Sequence, residues 1–165
     1  MNFLQKLYDM RDKKKADNKG FSLVELIIVI AIMAILVGIV GTQVIPYINK
    51  SKEAKDFQII NSYSTAATTA YSSNAEKITA DTTVVVYPAT DNTGNAKIIE
   101  DEIIALTGYA SASALTDKMG STKGKTIKVV KVTIDITNKK ITTQAYSDDA
   151  CTAGKEVFDA VIAEL

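Results

Sequence analysis

The sequence predicts an α+β protein in which a long N-terminal helix, half of it suited to a membrane, is covered by an antiparallel sheet. Three observations point there. Residues 21–41 are apolar apart from Ser22 and Glu25. After Pro46 the apolar residues continue at helical spacing on one face only. Farther on, residues 126–146 alternate apolar and polar, the period of a strand pair with one buried side.

The first element is the apolar run. From Phe21 to Gly41 there are 21 residues, and between Ile27 and Gly41 no side chain is polar. At ~1.5 Å per residue, such a helix matches the ~30 Å hydrocarbon core of a bilayer. Arg11, Lys13, Lys14, Lys15 and Lys19 all precede the run, whereas the residues just after it are neutral as far as Asn49. That asymmetry places the N-terminus on the cytoplasmic side and everything beyond Pro46 outside.

Glu25 is the exception within the run. A carboxylate near the centre of a bilayer costs about 2.5–3.5 kcal/mol or more, so an acid here needs either a position at the headgroups or a partner. Two readings fit. At headgroup depth Glu25 would favour the positive end of the helix dipole. Alternatively, a cut between Gly20 and Phe21 would leave a cationic amine on Phe21, one turn from the acid in its own chain or close to that of a neighbour.

Lys19-Gly20 followed by Phe21-Ser22-Leu23-Val24-Glu25-Leu26 resembles the cleavage and methylation signature of type IV prepilins, and the chain as a whole resembles a Gram-positive, clostridial-type major pilin. The likeness in motif covers residues 19–48; beyond Ile48 it is one of architecture. The resemblance implies a pilin fold, removal of residues 1–20 by a membrane prepilin peptidase, and N-methylation of Phe21. It further implies that Glu25 docks the subunit into a growing filament by pairing with the amine of an adjacent copy. Its partners would be further copies of itself, the peptidase, the pilus assembly machinery and, before assembly, membrane lipid. The filament would serve adhesion, motility or aggregation.

Two features depart from that family. The proline that many members carry in this helix lies about one turn earlier, at what is here Thr42. Many Gram-negative members also close a C-terminal loop with a disulfide, which a chain with Cys151 alone cannot form.

Residues 1–20 read as a leader, with six basic residues against three aspartates and no apolar region of their own. Residues 21–46 form the membrane or filament-core helix, and 47–165 an extracytoplasmic head that includes the amphipathic half of the helix. Without the leader the chain holds 13 basic and 16 acidic side chains and no arginine. That balance argues against nucleic acid as a partner. The complete lack of histidine removes the commonest general base and metal ligand. No catalytic constellation or cofactor site is discernible, so an enzyme is not expected. The alternatives are a minor pilin or type II secretion pseudopilin, or a single-pass anchored binding domain that would keep its first 20 residues.

Gly38, Gly41 and Pro46 mark a candidate helix break. Each glycine costs about 1 kcal/mol relative to alanine and an interior proline about 3, so 38–46 is the weakest part of the rod. A hinge and a mere packing kink fit this equally. Farther on, Phe57, Ile60, Ala67 and Tyr71 define the face that meets the head, continuing to about Ser72, while Lys52 and Asp56 are spaced as an i, i+4 ion pair.

In the head, Thr82 to Tyr87 reads as a short strand ending at Pro88, of a kind suited to a sheet edge. Asp91 to Asn95 reads as a turn, and Ile98 to Leu106 as a helix stopped by Gly108. Glu100, Asp101 and Glu102 project about 100° apart on such a helix and read as a solvated face rather than a calcium site. A hairpin is expected over 126–146, with a bulge at Val129 and Val130 where the alternation slips. Lys118, Lys123, Lys125, Lys128 and Lys131 form a basic patch, read as edge protection or a contact between subunits. Cys151 reads as a small apolar side chain whose thiol the neighbouring Asp148 and Asp149 keep protonated. Val157, Phe158, Val161, Ile162 and Leu165 suggest a closing C-terminal helix.

Overall fold

The computed structural model describes residues 20–165, and one long helical run from Leu23 to Ser73 leads into the rest. Most of the expected leader therefore lies outside the described residues. Two compact units divide after Pro46 and are taken in turn.

In the first unit, α1 spans Leu23–Ile39 and passes into a wider π turn at Val40–Val44. No residue of either is buried. The helix α2 then runs Ile45–Ser73.

In the second unit, α2 buries Asp56, Ile60, Tyr63, Ser64, Ala66, Ala67 and Ala70. The expected face is there, with Phe57 and Tyr71 at its half-buried margins and the seam centred on Ile60, Tyr63, Ala67 and Ala70. The many hydroxyl residues of this stretch turn back on the helix: Thr68 Oγ1 donates to Ser64 O at 2.9 Å, Thr69 Oγ1 to Thr65 O at 3.0 Å, and Ser72 Oγ to Thr68 O at 2.8 Å. These bonds satisfy the hydroxyls without adding to helix stability, so packing supplies what propensity lacks.

Four antiparallel strands lie in sequence order: β1 Thr82–Val86, β2 Val129–Asp135, β3 Lys140–Tyr146 and β4 Val161–Glu164. Val84, Val130, Val132, Ile134, Ile141 and Ala145 are buried and belong to the same core as the α2 seam. As expected, β1 is an edge strand. Its outer side is partly occupied, since Asn92 Nδ2 donates to Val85 O at 2.7 Å.

The hairpin departs from expectation at one point. Pairing runs without interruption from Val129 opposite Tyr146 to Asp135 opposite Lys140, so there is no bulge at Val129 and Val130. Both valines are buried, and because neighbours in an unbroken strand point to opposite faces, Val129 is covered on the outer side of the sheet. The slip in the pattern is thus a strand end buried on both faces. At the turn, Asp135 accepts from Asn138 N and Nδ2, each at 2.8 Å.

The C-terminal segment is not a helix. Val161–Glu164 pairs with Lys140–Thr143 as the fourth strand, and the approach to it is fixed by Val157 N donating to Ala145 O at 3.0 Å. Gly154 at φ +85° belongs to a turn rather than a helix start. Val157 and Val161 mark one helix edge but are β-branched, and so short a segment carries both periods.

The head also holds two shorter α-helices, α3 Gly94–Thr107, ended by Gly108 at φ +75°, and α4 Ala112–Thr116, and a 3-10 turn at Gly124–Thr126. Here the acidic triplet is corrected. Asp101 is exposed, but Glu100 is buried, accepting from Tyr87 N at 3.3 Å, Asn92 Nδ2 at 3.1 Å and Lys97 Nζ at 3.2 Å. Glu102 accepts from Asn74 Nδ2 at 2.6 Å. Lys97 bridges Glu100 and Asp101, its Nζ lying 2.9 Å from Asp101 Oδ1, while Glu102 turns to Asn74, and Glu100 braces the end of β1.

Beneath α3, Tyr63 and Tyr87 hydroxyls lie 2.7 Å apart, and Tyr87 donates onward to the Tyr109 carbonyl. With its one proton committed there, Tyr87 accepts from Tyr63, giving a directed relay. Burial above all, then donation to Tyr87, pushes the Tyr63 phenol far above its ordinary range, and burial raises that of Tyr87 as well.

Asp56 is also corrected. It is not paired with Lys52 but buried, accepting from the backbone N–H of Gly120 and of Ser121, each at 2.8 Å, and from the Ser121 hydroxyl. One carboxylate on the helix thus gathers a loop 64 residues away. Gly124 belongs to the same cradle, since a Cβ there would collide with Asp56 Oδ2 and lie 3.1 Å from Met119 Cβ. Asp56→Ala leaves these donors unpaired and is expected to cost about 3 kcal/mol, lowering the Tm of the full-length protein in detergent by roughly 10 °C. An unchanged Tm would show the loop to be held by other contacts.

Candidate functional site

The candidate site is the start of the helix. Ser22 is its N-cap, with extended backbone at φ −64° and ψ 142°. Its Oγ accepts from Val24 N at 3.3 Å, while Glu25 Oε2 reaches back to accept from Ser22 N at 2.8 Å. These form a capping box, in which serine and glutamate each satisfy a backbone donor that the first helical turn cannot. Sequence reasoning placed Glu25 at the positive end of the helix and missed this bond, although Ser22 and Glu25 have the spacing that signals it. Gly20 and Phe21 precede the cap outside regular structure and are exposed. No side chain crowds Gly20: a Cβ there would meet nothing within 4 Å.

From Phe21 to Lys50 every residue is exposed, and Glu25 is the only charged side chain before Lys50. The helix is long and apolar enough to cross a membrane. Water is a poor solvent for such a surface, so it requires lipid or other apolar helices around it.

The three predicted break residues are placed at and around the π turn. Gly41 lies within it, Gly38 just before it and Pro46 just after it. Ile45 N donates to Val40 O, five residues back. Pro46 can donate to nothing, and its ring would crowd the carbonyl of Thr42 in a regular α-helix, so a wider turn immediately upstream relieves that position. Thr42 Oγ1 donates to Gly38 O at 3.0 Å, satisfying a carbonyl with a side chain. The helix is continuous in hydrogen bonding but irregular across 38–46.

In the head, the basic patch does not act as one unit. Lys123 lies over the Phe158 ring at 5.1 Å, Lys131 over Tyr146 at 5.8 Å, and Lys128 Nζ is 3.7 Å from Asp149 Oδ2. Cys151 is half-buried at φ +51°. Burial is the main cause that raises its thiol pKa, Lys131 opposes it, and Asp148 and Asp149 add to it.

Against known proteins, residues 15–41 match the family model of the prokaryotic N-terminal methylation motif. No curated protein and no solved structure matches the chain. The motif supports a type IV pilin-like or pseudopilin-like precursor, a structural kind of protein rather than an enzyme family. It spans Gly20, Phe21, Glu25, Gly38 and Gly41 and stops short of Pro46.

At Gly38 and Gly41 an added Cβ would meet nothing within 4 Å. Replacing both with alanine is therefore expected to strengthen the helix by about 1 kcal/mol each, slowing amide exchange across 38–46 by tenfold or more in micelles. Unchanged exchange would mean that the π turn, rather than the glycines, sets the local opening.

Proposed function

We propose that the chain is the precursor of a structural subunit of a type IV pilus of the Gram-positive, clostridial kind. It is stored as a single-pass membrane protein with its N-terminus inside. A prepilin peptidase cuts between Gly20 and Phe21 and Phe21 is N-methylated. The assembly machinery then moves the apolar helix from lipid into a filament of identical copies on the cell surface.

One observation carries this reading. Glu25 is the only charged group from Phe21 to Asn49, and it stands one turn from the site of the new terminus. Its cap bond comes from Ser22 N and uses Oε2 alone, so it survives the cut and leaves Oε1 for a second donor. Cleavage supplies that donor as a cationic amine. In a head-to-tail assembly, the amine of one copy meets the carboxylate of the next and fixes axial register. The apolar run then serves two solvents in turn, lipid and the packed helices of the fibre.

Mass spectrometry of the protein from its native cell is expected to find N-methyl-Phe21 as the first residue. Surface protein that retains residues 1–20 would overturn the proposal and favour an anchored binding domain.

Glu25→Ala should insert and be cleaved as the unaltered protein is. Its filament yield is expected to fall at least tenfold, because removing one partner of a buried pair costs about 3–5 kcal/mol. Normal yield would exclude the docking role.

Gly38, Gly41 and Pro46 are assigned the compliance of the fibre. In lipid, unpaired backbone groups cost several kcal/mol each, which favours the continuous helix; among packed copies that penalty is relieved and the segment can extend. The π turn and the Thr42 bond, both irregularities of this stretch, support an opening here. A filament density map should show helix interrupted between residues 38 and 46. Unbroken α-helix from Phe21 through Ile60 would refute this.

A further inference from the structure

A surface cavity of about 460 Å³ opens in the head between the end of β1, α4 and the segment before β2. That volume suits one small ligand. Its wall begins at Tyr87, Pro88 and Ala89, and Ile127 contributes further apolar surface.

The wall is built rigidly. Tyr87 has φ +65°, a conformation that strains a bulky residue and persists only where its surroundings over-determine it. They do so here through Glu100 on its N–H and through Tyr63 and the Tyr109 carbonyl on its hydroxyl. A fixed wall spares a ligand the ordering cost of shaping its own site.

The polar lining has a definite sense. Thr116 Oγ1 donates to Ser113 O at 3.2 Å and Thr126 Oγ1 to Lys123 O at 2.7 Å. Both hydroxyl protons are thus committed to backbone, and each oxygen is left as an acceptor. The cations differ from one another. Lys128 is balanced at 3.7 Å by Asp149, whereas Lys125 is in none of the ion pairs among the described residues. The cavity therefore offers acceptors for hydroxyl donors, one uncompensated ammonium for an anion, and an apolar wall for a ring face.

We propose that this cavity binds the carboxylated sugar residues of an acidic polysaccharide. The carboxylate meets Lys125, the ring hydroxyls donate to Thr116 and Thr126, and the apolar ring face rests on Pro88 and Ala89. Binding by a single chain does not depend on the filament. In a filament, the repetition of weak sites would raise the avidity for a polymer without further contacts.

The test is titration of isotopically labelled full-length protein in micelles with glucuronate, read by amide chemical shifts. Saturable shifts are expected at Ala89, Thr116, Lys125 and Lys128 at millimolar concentration, with glucose and acetate each binding at least fivefold more weakly. Lys125→Met should weaken glucuronate at least fivefold, and Lys118→Met, outside the cavity, should not change it. Four results would each overturn the proposal: no saturable shift, equal binding of glucose, equal binding of acetate, or a Lys125→Met protein that binds as before.

Discussion

Packing of one face of α2 against the inner side of the sheet is the constraint on which the head depends. That face is made of Ile60, Tyr63, Ala67 and Ala70. The apolar side chains of β1, β2 and β3 meet there in one core. Because the same α2 carries Asp56, the loop at 120–124 is tied to the helix rather than to the sheet. The head is thus held by one apolar seam and by polar ties from the same element, Asp56 to the 120–124 loop and Tyr63 to Tyr87, with no disulfide available to a lone cysteine.

The N-terminal part answers to a different solvent. The apolar run has no amphipathic face to offer, and its only carboxylate is engaged in closing the first turn of the helix. Capping, and the docking proposed for Glu25, would use the same residue at the same place. A glutamate three residues after the N-cap can reach back to the cap backbone, and a carboxylate with two oxygens can hold a second donor beside it.

Much of this was legible in the sequence where a pattern was long. The apolar run, the α2 face and the β2–β3 alternation each extend over many residues, so their periods are unambiguous. What was missed depends on contacts distant along the chain. Nothing near Asp56 announces that its partners are Gly120 and Ser121, and local spacing offered Lys52 instead. Glu100 looked solvated because its neighbours are acidic, whereas its place is set by Asn92 and the backbone of Tyr87. The C-terminal segment read as helix because its valines fit both periods, and only the free edge of β3 selects the strand. The cavity beside Tyr87 gathers residues from four separated segments, none of which forms a motif alone.

The tyrosine relay has a consequence for how the head meets alkali. A phenol whose pKa is raised on folding binds its proton more tightly in the native state than in the unfolded one, where the ordinary value is about 10. Its contribution to stability is complete below that pH and declines as pH rises past it. Tyr63 and Tyr87 therefore stay protonated past the pH at which a free phenol ionises. The tyrosinate absorbance of Tyr63, the more strongly shifted of the two, emerges as the core opens, so the ultraviolet spectrum holds an intrinsic marker of unfolding that needs no attached probe.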